Sequence, residues 1–311
     1  MGEMINPRID LAFKKIFGVE QNKDMLISLI NSIVSDQDQV DEIELLNPYN
    51  EKNFKKDKLS VLDIKARNAI TKTYFLIEMQ IAEELDYAKR SLFTWARVYS
   101  NQIGEGDHYG KLKKTIAIHI LNFTFINYDK TMGWIESSPE KYHHRFVLAD
   151  VQTRIEVFKD IEIHTIELNK FQAIEDDNLD VIMSKVKGML DKWIVVLTKY
   201  NLLDSKKLPE KIDVPEIKKA IKTIQEASLT SEEREAYNSR LDFFRIEEGA
   251  FAARFAAGKA EGLAEGKAEG KAEGLLEGKL LIARNLLSKG LDISFISETT
   301  GLSEEEIRNE L

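Results

Sequence analysis

Asp63, Glu78 and Gln80 are the residues of this 311-residue chain whose types and spacing bear most directly on chemistry. Asp63 lies in Ser60-Val61-Leu62-Asp63-Ile64-Lys65-Ala66, and Glu78 and Gln80 close Thr73-Tyr74-Phe75-Leu76-Ile77-Glu78-Met79-Gln80. Both stretches are dominated by β-branched and aromatic residues and read as strands, with polar residues 66–72 between them as a turn. Side chains two apart on a strand share a face, so Glu78 and Gln80 point the same way. An antiparallel return brings Asp63 alongside Glu78. Two carboxylates held that close need a cation or a shared proton. A hard divalent cation meets that need most simply, and oxygen ligands without cysteine or clustered histidine favour Mg²⁺ or Mn²⁺ over zinc.

The charge around this pair differs from that of the whole chain. The net charge is −9, which by itself argues against nucleic acid as a partner. Residues 1–50 hold 4 basic and 9 acidic side chains, whereas residues 51–120 hold 13 basic and 9 acidic ones. The basic excess of +4 therefore lies on the segment that carries the carboxylates, and screening beyond about 10 Å makes local sign decide phosphate contact. Lys52, Lys55, Lys56 and Lys58 precede the hairpin; Lys56 is a candidate phosphate contact, with a solvated charge run as the plain alternative. Lys65 shares the strand of Asp63. Arg90 can pair with Glu83 or Asp86. Asp10, at the start of a first helix, favours the helix dipole.

In this order the residues resemble the PD-(D/E)xK nuclease superfamily, and Leu62-Asp63-Ile64-Lys65-Ala66 with Ile77-Glu78-Met79-Gln80 is similar to its transposase-like branch, the recombination-promoting (Rpn) nucleases. Asp10 to Gly18, Asn47-Pro48, Tyr87 and Arg90, Thr115 to Phe123 and the Gly-Ala-Glu-Lys tail extend the resemblance over nearly the whole chain. It implies an α/β fold, a restriction-endonuclease-like mixed central sheet flanked by helices, followed by a C-terminal helical region. It also implies a Mg²⁺- or Mn²⁺-dependent DNA endonuclease, with Asp63, Glu78 and Gln80 catalytic, Asp63 and Glu78 (and Asp10) on the metal, and Lys65, Arg90 and Lys56 on DNA. Recombination or defence against foreign DNA is implied in the same way. The superfamily's last motif residue is usually lysine. Gln80 orients water without supplying charge, so a non-catalytic, oligomeric DNA- or protein-binding regulator stays open beside the enzyme.

The elements that must position these residues follow from pattern. Leu11, Phe13, Ile16 and Phe17 form the apolar face of a first helix, and residues 25–34 form a second. Ile43 to Leu46 is a short strand stopped by Asn47-Pro48. A helix over about 85–103 repeats Leu92, Trp95, Ala96, Tyr99 and Ile103, with Tyr87, Arg90 and Arg97 along it. Thr115 to Leu121 is apolar enough to be a strand buried on both faces, with His119 a satisfied core histidine. Strands follow at residues 145–151 and 161–167, with His143-His144 a loop pair. Residues 180–197 read as one amphipathic helix, residues 217–227 as another, and Thr230-Ser-Glu-Glu233 as a capping box.

These elements divide into a nuclease-like body over 1–228, a helical extension over 229–257, a four-residue repeat over 258–280 and a small helix-turn-helix-like module over 281–311. In the repeat, glycines at 258, 262, 266, 270, 274 and 278 each cost about 1 kcal/mol against alanine. Its lysines fall two residues from the nearest glutamates, where pairing fails. It should be a poor helix alone, and serves as a flexible tether or a helix completed by a second chain. A homo-oligomer (a dimer) through the C-terminal helices is expected. The last helix carries four acids against one arginine, which suits protein contacts better than a DNA groove. Hydrophobic content of 43% and charged content of 31% are those of a soluble protein. The absence of cysteine excludes disulfides and thiolate sites. With no membrane-length apolar run and no signal-peptide core at the start, a cytoplasmic protein is expected.

Overall fold

The computed structural model of the chain describes residues 4–49, 63–82, 86–126, 141–171 and 177–309. It divides into two compact units, Met1–Glu247 and Glu248–Leu311.

The first unit is built on one six-stranded sheet. Its strands are β1 (Ile43–Leu45), β2 (Ile64–Asn68), β3 (Tyr74–Gln80), β4 (Thr115–Leu121), β5 (His143–Leu148) and β6 (Phe158–Glu167), in the order β1-β2-β3-β4-β6-β5. The pairs β1–β2, β2–β3 and β5–β6 are antiparallel, and β3–β4 and β4–β6 are parallel. The sheet is therefore mixed, with a parallel centre and antiparallel flanks. A parallel pair needs a crossover, and α3 (Tyr87–Ser100) lies in the connection from β3 to β4. All seven residues of β4 are buried, as a central strand covered on both faces requires.

Alternation along the strands separates two faces. One carries Ile64, Ala66, Phe75, Ile77, Met79, Ile116, Ile118 and Ile120 into the main apolar core. That core is completed by α1 (Asp10–Phe17), α2 (Lys23–Asn31), α5 (Met189–Lys199) and α6 (Pro215–Glu226); Trp193 of α5 meets Phe17 of α1 edge-on at 5.5 Å between ring centroids. The opposite face carries Glu78 and His119 beneath α3, where the Trp95 indole donates to the Thr115 carbonyl at 2.8 Å.

Several elements differ from the sequence reading. Strand β2 runs to Asn68, because the Asn68 side chain accepts from Ile70 N and Thr71 N and starts the turn there. His143 and His144 belong to β5, not to a loop: the His143 ring stacks on His164 of β6 at 5.1 Å. Residues 180–197 form two helices, α4 (Leu179–Lys185) and α5. The Asp191 carboxylate accepts from Lys187 N and Gly188 N and so caps a new helix. The first unit also continues past residue 228. Thr230 and Glu233 exchange the hydrogen bonds of a capping box at the start of α7 (Ser231–Ser288). Along α7, Glu233 pairs with Lys15 at 2.7 Å, the Tyr237 hydroxyl accepts from Asn6 N, and Phe244 is buried with the Arg8 guanidinium over its ring.

The second unit contains the rest of α7, α8 (Ile293–Thr300) and α9 (Glu304–Asn309) around a small core of Ala283, Ile296, Leu302 and Ile307. Gly301 ends α8 with φ at +67°, a left-handed conformation that glycine adopts without strain. The glycine repeat is helical throughout, contrary to the poor helix expected of it. The cost of nucleation explains the difference. The helix is already fixed by packed residues before and after the repeat, so each residue between needs only propagation, to which alanine, leucine, glutamate and lysine are well suited.

Candidate active site

The β2–β3 ladder ends at Ile64↔Ile77, which leaves Asp63 one residue beyond and opposite Glu78. On the other side of β3, Glu78 is in register with His119 of β4. A row of Asp63, Glu78 and His119 thus crosses three adjacent strands. Asp63, Glu78 and Lys65 line one cavity of about 240 Å³. Its other lining comes from α3, which contributes Thr94, Arg97 and Val98, and from Asn101 just after the helix.

Each acid is held from behind. The Asp63 carbonyl accepts from Lys14 Nζ of α1 at 2.5 Å and from Asn47 Nδ2 at 3.0 Å. Asn47 Oδ1 in turn accepts from Lys65 N at 2.7 Å, so one amide pins both sides of Ile64. Lys14 is fully buried; burial pulls its ammonium down to about 8, with Asp63 opposing the shift. The Asp63 carboxylate lies 3.3 Å from Lys65 Nζ. Behind Glu78, His119 Nδ1 lies 3.6 Å from the carboxylate, and His119 Nε2 is bonded to the Ser91 hydroxyl of α3 at 2.7 Å. Burial by itself raises the Glu78 carboxyl. His119, Arg90 and Lys65 outweigh it and hold the group below the usual carboxylate range.

The remaining sequence candidates fall elsewhere. Gln80 shares the face of Glu78, but its Oε1 accepts from Arg90 Nη2 at 2.9 Å and its Nε2 donates to the Ala82 carbonyl. Arg90 is therefore engaged with Gln80, and its backbone N–H with the Asp86 carbonyl. Asp10 does not line the cavity. It is the first residue of α1, where its carboxylate accepts from Leu11 N and pairs with Arg240 of α7; burial raises its pKa while Arg240 opposes the rise. Lys56 lies outside the described residues. Lys14 and Asn47 contact the Asp63 backbone and Ser91 contacts His119, and sequence reading gave none of them that role. The signal for Lys14 was a lysine on the apolar side of an otherwise amphipathic helix, beside Phe13 and Phe17.

The donor set fits a hard divalent cation. Among the described residues no three histidines, aspartates or glutamates group closely enough to form a metal cage. Mg²⁺ characteristically takes one or two carboxylates and completes its shell with water and substrate phosphate. Two carboxylates facing one cavity match that habit.

The sequence matches the model of the PD-(D/E)XK nuclease family transposase over residues 7–248. The chain belongs to this family. In this PD-(D/E)XK protein, residues 276–310 also match the Rpn/YhgA-like nuclease family C-terminal HTH domain. Searches of the curated proteins and of the solved structures gave no match. The mixed sheet flanked by helices is the restriction-endonuclease-like arrangement expected of the family. Among the described residues no helix is long and apolar enough to cross a membrane.

Proposed function

We propose that this protein is a divalent-metal-dependent DNA endonuclease that hydrolyses phosphodiester bonds at the Asp63–Glu78 cavity. The observation that carries the reading is the convergence of those two carboxylates and Lys65 on one open space beneath α3. Asp63 and Glu78 are the groups that would hold Mg²⁺ or Mn²⁺. When bound, such an ion supplies charge that polarises the phosphodiester and lowers the pKa of water.

The chain's own residues supply the rest. Lys14 and Asn47 fix the Asp63 backbone, and His119, held by Ser91, sets its Nδ1 3.6 Å from the Glu78 carboxylate. Lys65, 3.3 Å from Asp63, brings to the cavity the positive charge that Gln80 lacks. Gln80 steadies Arg90 over the end of β3 and keeps the role of orienting water only through that neighbourhood. Recombination and defence against foreign DNA are the settings that family membership suggests. The C-terminal HTH domain is a second candidate for nucleic-acid contact, although Glu304, Glu305 and Glu306 open its last helix.

The engagement of Gln80 with Arg90 favours one other reading, a non-catalytic DNA-binding regulator that retains the fold. Supercoiled plasmid incubated with Mg²⁺ or Mn²⁺ separates the two. The endonuclease nicks it, and Asp63→Ala and Lys65→Ala lose that nicking. A regulator gives binding without nicking in the parent chain.

A further inference from the structure

Among the described residues, Arg97 is the cation lining the cavity that no carboxylate claims. Lys65 is committed to Asp63 at 3.3 Å, and Glu78 faces His119. Among the described residues no acid lies within ion-pair distance of Arg97, and its guanidinium contact is the Phe93 ring, 5.9 Å from centroid to carbon. Phe93 is 63% exposed and sits one turn before Arg97 on α3. The ring therefore braces the arginine while its charge remains available to the cavity that it lines.

Charge balance says what that cation is for. Two carboxylates and one divalent cation sum to zero, and a phosphodiester then adds one negative charge. Lys65 is held at Asp63, 3.3 Å away, which leaves Arg97 as the lining cation placed to meet the incoming phosphate. A guanidinium presents a planar fork that matches two phosphate oxygens, which an ammonium does not. We propose that Arg97, rather than Arg90, is the phosphate anchor of this site, gripping the non-bridging oxygens of the DNA phosphodiester that enters the Asp63–Glu78 cavity. The assignment rests on the endonuclease reading and adds a specific substrate contact to it. It also assigns α3 a substrate-facing wall, formed by Thr94, Arg97 and Val98.

The test compares the parent chain with Arg97→Ala, Arg97→Lys and the control Lys89→Ala. Lys89 is highly exposed on the same helix and paired with Asp86. Nicking is followed on plasmid, and binding of a fluorescein-labelled DNA duplex is followed by anisotropy over a salt series with Ca²⁺ present. Losing a hydrogen-bonded charge contact is expected to lower nicking about ten- to hundred-fold in Arg97→Ala. The salt slope of binding should fall by about 0.9, the value for one phosphate contact. Arg97→Lys should keep the salt slope yet nick below the parent, because it retains charge without the fork. Lys89→Ala should behave as the parent, and circular dichroism should be unchanged in all three, since both side chains are exposed. If Arg97→Ala nicks and binds like the parent, the anchor assignment is wrong while the endonuclease reading stands. A parent chain that neither binds nor nicks DNA overturns both.

Discussion

Lys14 shows how much of the site depends on one side chain. A fully buried ammonium is costly unless it is bonded, and this one spends its proton on the Asp63 carbonyl. Its folded pKa of about 8 lies below the ordinary lysine value of 10.5. The unfolded chain therefore binds the proton more tightly than the folded one between those two pH values, and Lys14 makes stability rise as pH rises through that window. Urea unfolding of the parent and Lys14→Met across pH 7 to 11 is the check: the parent should gain stability relative to the variant above pH 8, and a constant difference would show no shifted lysine. Asn47 acts on the same residue from the other side. Asn47→Ala removes both hydrogen bonds that flank Ile64 and should cost about 2 kcal/mol in unfolding free energy, together with a loss of metal-dependent nicking. Little of this was legible in the sequence. Asp63, Glu78 and Lys65 announce themselves by type and alternation, whereas Lys14 and Asn47 act through backbone atoms of Asp63 and Lys65, which no side-chain pattern records.

At the scale of elements, the register of β3 decides which residues meet. Glu78 falls opposite Asp63 on one side and His119 on the other, and α3 lies over that row. Strand alternation placed the acids correctly, but reading His119 as an ordinary core histidine missed its neighbour, because a strand's partner in a parallel sheet is remote in sequence. The same limit affected Arg90 and Asp10. The resemblance offered a phosphate to one and a metal to the other, beside an ion pair and a helix-dipole reading; packing sets Arg90 against Gln80 and Asp10, at the start of its helix, against Arg240. A consequence concerns the motif position itself. Gln80→Lys would restore the superfamily's usual residue, yet it would set a second cation against the Arg90 guanidinium. It is expected to lower the melting temperature by a few degrees, the effect of about 1 kcal/mol, and to give no increase in nicking. A gain of nicking would show instead that charge at position 80 is what the site lacks.

Across the whole molecule, the nuclease body and the C-terminal unit answer to different rules. The body's mixed sheet was expected from the family resemblance, and its buried central strand was readable from the apolar run Thr115–Leu121. The break between α4 and α5 was not, because it rests on Asp191 capping a turn that the periodicity runs straight through. In the C-terminal unit, none of the six repeat glycines would bring an added Cβ within 4 Å of another atom. Alanine at positions 258, 262, 266, 270, 274 and 278 should therefore raise helix stability by roughly 0.5–1 kcal/mol per site, seen as slower amide exchange across the repeat. If the glycine stripe packs against a second chain, the same substitutions should instead lower the apparent mass in sedimentation. The central claim remains that Asp63 and Glu78 jointly hold one divalent cation, and Mn²⁺ binding to the full chain tests it without reference to activity. Calorimetry should give one site per chain in the parent and no saturable site in either Asp63→Ala or Glu78→Ala. Undiminished Mn²⁺ binding in either variant would contradict the account.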